Sequence, residues 1–283
     1  MNAKNDLLFL IFVVVAIGIA WFVSGGPQKV GDIRPFLSPP WPLGSGTTYG
    51  ENASSTLPSA IPEGQASSER GAVTITGVTT YESATPGSES ITLLANRSID
   101  ITGWTLKSAV SSKASSIGEG SALPYAGQVN PQGHVVLATG GTAYIVTGRS
   151  PIGTSFRTNL CTGYFSQFQE FNPSLSLRCP RASDELRNYQ NQNLSDTCIN
   201  YIEGIPSCQM VVAPPYELPA SCQEFITSKV NYNSCVSTHR NDSNFVENEW
   251  RIFLNENQKL WKSEREVVLL LDTNGKTVDT YSF

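Results

Sequence analysis

Histidine is nearly absent from this 283-residue chain: there are two, His134 and His239, far apart in sequence. Charge is sparse as well, since Asp, Glu, Lys and Arg make up 15% of the residues. The six cysteines include no Cys-x-x-Cys pair. Zinc closes its tetrahedron with closely spaced thiolate or imidazole ligands, so this inventory argues against a zinc site. Nor is there a cluster of bases, because 19 Lys and Arg are scattered against 24 Asp and Glu for a net charge of −5. Affinity for nucleic acid comes mainly from releasing phosphate counterions with Lys and Arg, and that footprint is missing.

Catalytic signatures are missing too. Gly275-Lys276-Thr277 has the ending of a phosphate loop, but Leu270 stands where its first glycine belongs. Gly148-Arg-Ser-Pro-Ile-Gly153 is one residue too long for a nucleophile elbow and places Pro151 after Ser150. His134, after Gly133 among strand residues, reads as a solvent-side strand residue, and His239, near Cys235, as a polar loop group. Asp242, Glu247 and Glu249 read as helix capping and a solvated helix face rather than a calcium loop or a carboxylate dyad. A carboxylate pair assembled from distant segments stays open. The expectation is a chain with no catalytic residue, no metal site and no cofactor.

What is present is an order of segments. Residues 7–23 are apolar and uncharged, and as a helix would rise about 26 Å, just short of the ~30 Å hydrocarbon core. Trp21 and Phe22 close the run, where amphipathic rings favour the membrane interface. A cleaved secretory signal requires a cationic start and small residues at the cut. Here Asp6 nearly offsets Lys4, and the run ends Trp-Phe-Val-Ser-Gly-Gly, so residues 1–24 read as a retained transmembrane anchor. Residues 25–70 carry Pro27, Pro35, Pro39, Pro40, Pro42, Pro58 and Pro62 among Gly, Ser and Thr, the composition of a flexible stalk. Within it, Pro35-Phe-Leu-Ser-Pro-Pro-Trp-Pro42 has polyproline character, and the plainer reading is a juxtamembrane spacer.

Cys161, Cys179, Cys198, Cys208, Cys222 and Cys235 all follow. An even number behind a membrane signal reads as disulfides in an oxidising exterior, which also sets the orientation. Six cysteines allow fifteen connectivities, and sequential pairing, 161–179, 198–208 and 222–235, is the expectation taken here. The Asn-x-Ser sites at Asn52, Asn96, Asn193 and Asn241 are glycan acceptors only in a eukaryotic secretory pathway.

The first folded part reads as β. Val73 and Ile75 alternate with threonines, Ile91 and Leu93 flank Thr92, and Ile99 and Ile101 repeat the pattern before Gly103-Trp104. Val135–Leu137 and Ala143–Val146 add two short candidates, with turn-rich clusters between. Val267–Leu271 and Val278–Phe283 flank Asp272-Thr-Asn-Gly275, where Asn-Gly predicts a hairpin with a type I′ turn. The segment between has helical character. Ser221-Cys-Gln-Glu224 forms a capping box before Phe225, Ile226 and Val230. Asn244 and Glu247 predict a longer helix carrying Val246, Trp250, Phe253, Leu254 and Trp261, and Phe165, Phe168 and Phe171 read as core at i, i+3 spacing.

Ile91-Thr-Leu-Leu-Ala-Asn96, then Ile99-Asp-Ile-Thr-Gly-Trp-Thr-Leu106, and the late Leu270-Leu-Asp-Thr-Asn-Gly-Lys-Thr-Val-Asp279 together resemble the lamin-tail domain family. Asp100, Gly103, Trp104, Asp272, Gly275, Val278 and Asp279 carry the resemblance. It implies an immunoglobulin-like β-sandwich over 71–147 plus 265–283, with structural roles for those residues and an adhesion or tethering role for the domain. Residues 148–264 depart from the pattern as a disulfide-stapled, partly helical, Cys-rich insertion. The whole reads as a mainly β, membrane-anchored extracytoplasmic binding or tethering module that takes an envelope component or another protein and does not bind nucleic acid. Two alternatives stand beside it: an extracytoplasmic hydrolase with acid/base groups in the insertion, and a structural envelope protein that self-associates through an edge strand.

Overall fold

In the computed structural model, residues 14–17, 19, 65–80, 88–189 and 194–283 are described. The chain divides into two units, Met1–Pro58 and Ser59–Phe283. In the first, residues 14–17 and 19 are helical and exposed. No helix among the described residues is long and apolar enough to cross a membrane. Most of the expected anchor, 7–23, and the expected stalk up to residue 64 lie outside the described residues.

The second unit is mainly β. In chain order its strands are β1 (Val73–Thr79), β2 (Ser90–Ala95), β3 (Ile99–Asp100), β4 (Thr105–Ser108), β5 (Ala114–Ser116), β6 (Val136–Leu137), β7 (Thr142–Val146), β8 (Phe156–Asn159), β9 (Val246–Phe253), β10 (Val267–Leu271) and β11 (Thr277–Ser282). Between β8 and β9 lie a 3-10 turn (Thr162–Gln167) and four short helices: α1 (Ala182–Glu185), α2 (Asp196–Glu203), α3 (Ala220–Lys229) and α4 (Tyr232–His239).

One sheet runs β1-β2-β7-β9-β8, a second β11-β10-β4-β5, and β3 pairs with β6. The alternation read from the sequence sets which face is buried: Val73, Ile75, Ile91 and Leu93 from the first sheet meet Leu106, Val268, Leu270 and Val278 from the second in one continuous core. Trp104, Trp250 and Trp261 complete it. Residues 65–70, assigned to the stalk on composition, are the first described residues of this unit. Ser67 N donates to Thr277 O and Thr277 N to Gln65 O, both at 2.8 Å, so this segment pairs with the first residue of β11.

The helix expected from Asn244 onward is a strand instead. β9 lies between β7, to which it is parallel, and β8, to which it is antiparallel. Val, Trp, Ile and Phe suit a pleated surface, and pairing on both edges overrides a spacing that also fits a helix. Two strands of the 148–264 segment, β8 and β9, thus belong to the larger sheet.

The hairpin at 272–275 forms, but with another turn. Gly275 has φ +73°, whereas Asn274 is not among the residues with positive φ, so both central positions of a type I′ turn are not met. Gly275 N donates to Asp272 O at 2.9 Å, and the ladder shifts register between Leu270 and Leu271. A type I turn closed by a left-handed glycine and a bulge fits these facts. Helix α3 forms where expected and buries Phe225 and Ile226, but Pro219 caps it, with no side-chain hydrogen bond from the expected capping box.

Candidate functional site

The cysteine-rich layer grows from the end of β8 and returns at the start of β9. Its base is closed by Asn159 paired with Val246, by Leu160 N donating to Phe245 O at 2.8 Å, and by the Cys161–Cys235 disulfide. Cys179–Cys208 and Cys198–Cys222 complete the set, and no cysteine is free. All three sequential pairings are therefore corrected. Cys198 and Cys222 share one buried cluster and Cys161, Cys179, Cys208 and Cys235 another, so 198–208 and 222–235 are held apart, while the β8–β9 ladder and the packing of α4 on the 3-10 turn bring Cys235 rather than Cys179 to Cys161.

Asn159 organises the base. Its Oδ1 accepts from Cys161 N at 2.9 Å, and its Nδ2 donates to Tyr232 Oη at 3.2 Å. That hydroxyl in turn donates to Pro124 O at 2.5 Å, and the Tyr232 ring packs against Phe165 with centroids 4.4 Å apart. Burial pushes the Tyr232 phenol well above its ordinary range, so it stays a donor. Tyr164 is raised to about 12, first by burial and then by the nearby Glu185 charge.

Above this base lies a groove of about 510 Å³, lined by Tyr164, Phe165, Phe168, Met210 and Tyr232, with Gln169 and Asn233 among its polar groups. Every described lining residue is uncharged. The expected phenylalanine trio divides: Phe165 is buried, Phe171 is half-buried, and Phe168 is 58% exposed. Phe168 therefore stands at the solvent side of an aromatic wall. Gln167 fastens the opposite wall, accepting from Met210 N at 2.7 Å and donating to Met210 O at 2.9 Å.

The titratable groups gather elsewhere. His239 is 17% exposed at the end of α4, with Nε2 2.8 Å from Glu185 Oε1 and Nδ1 2.7 Å from Asp242 Oδ2. Burial lowers the imidazole, but the two carboxylates outweigh it and hold the ring above its usual range. Both ring nitrogens are occupied by acceptors, which leaves neither to take a proton from a nucleophile. The cluster fastens α1 to α4. Glu247 pairs with Arg178 and Glu249 with Arg251, so the three carboxylates considered from sequence do not converge. No group of three or more metal-ligating side chains occurs among the described residues.

The motif residues fall around the sheets. Asp100 ends β3; its Oδ1 accepts from Thr102 N at 2.9 Å and its Oδ2 meets His134 Nδ1 at 2.5 Å. Burial raises that carboxyl, while Thr102 and His134 outweigh it and bring it below its ordinary value. His134 itself is solvent-exposed. Gly103 has φ +78° in the turn where Trp104 N donates to Ile101 O, which swings the Trp104 ring into the core. Asp272 accepts from Asn274 N, Lys276 N and Ser67 Oγ, fixing the hairpin loop to the 65–67 segment. Val278 is buried. Asp279 Oδ2 accepts from Ile75 N at 2.7 Å, where β1 shifts register, linking the two sheets.

The groove was only partly readable. Met210 and Tyr232 drew no attention, although Asn231 is a legible helix start: its Oδ1 accepts from Ser234 N at 2.9 Å. Glu185 gave no signal, being 54 residues from the histidine it meets. No protein-family model, curated protein or solved structure matches this chain.

Proposed function

We propose that this chain is a membrane-anchored, extracytoplasmic binding or tethering module of lamin-tail type, without catalytic activity, whose cysteine-rich layer carries the recognition surface. The observation that carries the reading is the uncharged aromatic groove held on a disulfide framework, with Phe168 exposed at its wall. Its occupant is an uncharged, extended polypeptide segment. Aromatic and Met side chains suit apolar side chains of a peptide, and the Gln169 and Asn233 amides suit its backbone groups. The absence of charge in the lining disfavours an acidic or basic ligand.

The alternatives have less support. A hydrolase needs a free acid or base, and His239 is engaged on both sides. Edge pairing through β11 meets residues 65–67 already hydrogen-bonded to the first residue of that strand, Thr277.

The test presents the full chain and its Phe168→Ser and Met210→Ser variants to purified envelope proteins and, separately, to envelope polysaccharide. A protein partner that each substitution weakens by roughly tenfold is expected, as for an interface anchor. Binding of polysaccharide alone replaces the peptide with a glycan. A partner held equally by all three forms removes the groove as the recognition surface.

A further inference from the structure

A second cleft lies on another part of the fold and is independent of the groove reading. It measures about 480 Å³ and is lined by Lys113, Lys259, Lys262, Ser111, Ser263 and Trp261, with Glu264 as the acid among its lining residues. Three cations around one cleft run against the chain's net charge of −5. Lys113 comes from the β4–β5 turn, and Lys259 and Lys262 from the β9–β10 loop.

The two loops are fastened together. Lys113 Nζ donates to Lys259 O at 2.7 Å, and Ser111 Oγ to Leu260 O at 3.3 Å. From behind, two buried carboxylates hold the lysine-bearing loop. Glu89 Oε2 accepts from Leu260 N at 2.9 Å, and Glu266 Oε2 from Lys262 N at 3.1 Å. Burial raises the Glu89 carboxyl, and the loop amides and then Lys259 and Lys113 oppose that rise without cancelling it. A raised carboxyl offers the lysines less compensating charge. Glu266 is occupied by Ser108 Oγ, Lys262 N and Val267 N.

Two donors at the cleft have no acceptor among the described residues. Lys262 Nζ makes no hydrogen bond or ion pair there. Trp261 is 4% exposed, and its buried Nε1–H has no partner. Leaving an indole N–H unpaired is costly, and an arriving acceptor would relieve it.

We propose that this cleft is a binding site for a phosphate group, carried either by a soluble ester or by a phospholipid headgroup. A tetrahedral phosphate offers several oxygens to donors of different kinds, and residues carrying ammonium, hydroxyl and indole groups line this cleft. A planar carboxylate is better matched by the fork of an arginine. Three lysines against one acid give the described lining a net positive charge, which draws anions.

Titration calorimetry of the full chain in mild detergent, at low salt, with inorganic phosphate tests the site. Saturable binding is expected, weakened roughly fivefold by Lys262→Gln and far more by the triple Lys113→Gln, Lys259→Gln, Lys262→Gln form. Lys262→Gln is the clean variant, because its side chain makes no hydrogen bond or ion pair with the described residues. A tryptophan fluorescence change on adding phosphate is expected to vanish in Trp261→Phe. Glycerol phosphate and monomeric short-chain phosphatidate separate the sources, and tighter binding of either supports the site. Absence of saturable binding, equal binding by Lys262→Gln and the triple form, or acetate binding as tightly as phosphate overturns it.

Discussion

Gly163 lies in the 3-10 turn at the base of the cysteine-rich layer. A Cβ added there would stand 2.3 Å from Cys208 Sγ, 2.6 Å from Ser176 O and 3.1 Å from Cys179 Sγ. Non-bonded heavy atoms settle near 3.5–4.0 Å, so the nearest contact must open by more than about 1 Å. None of the three atoms is the free end of a flexible side chain: two are the sulfurs of one disulfide and the third is backbone. Gly163→Ala is therefore an overpacking change, with a cost of about 1–3 kcal/mol. At roughly 2–4 °C per kcal/mol for a domain of this size, the melting temperature should fall by about 2–12 °C. Gly118→Ala is the control, since its added Cβ meets nothing within 4 Å and its φ is not positive. Calorimetric melts of the oxidised full chain, with three disulfides verified by mass, decide the matter. In a Cys179→Ala, Cys208→Ala background the further cost of Gly163→Ala should shrink, because two of the three obstructing atoms are gone. A melting temperature at or above the parent's, with all disulfides formed, would refute the packing argument.

Two further predictions concern the same layer. Replacing Cys161 and Cys235 together by Ser opens a loop of sequence separation 74, and the chain-entropy relation puts the loss at about 4 kcal/mol; chemical denaturation of parent and double variant measures it, and a loss below about 1 kcal/mol would sink the estimate. The His239 contribution has a definite sign with pH. Its folded value is raised above 6.5, so the stabilisation is complete below 6.5 and is lost as pH climbs through the raised value. Urea midpoints of the parent should therefore decline across that window relative to those of His239→Gln, and parallel pH profiles would contradict the assignment.

The sequence carried the sheets well where burial is one-sided. Val267–Leu271 marks β10 without error, and the alternations at Val73–Ile75 and Ile91–Leu93 identify core faces. Local signals failed where long-range pairing decides. Val246, Trp250, Phe253 and Leu254 fit a helix until β7 and β8 flank them on both edges. The disulfide map failed for a related reason, because proximity in the chain does not measure proximity across layers. Phe165 and Phe168 are chemically identical, yet one is buried and the other exposed, since Phe165 lies inside the 3-10 turn while Phe168 is the residue that ends it, where the backbone has left helical geometry at φ −123°. The Glu185–His239 contact depends on how α1 meets α4, which no local spacing encodes.

The staple between Cys161 and Cys235 bears on what a protease can accomplish. Any single cut from residue 162 to 234 leaves one half-cystine on each fragment, so the pieces remain one molecule until the bond is reduced. Between residues 199 and 207 all three bridges span the cut. A nicked layer can thus stay in one piece, and damage there would show on a reducing gel while escaping a non-reducing one.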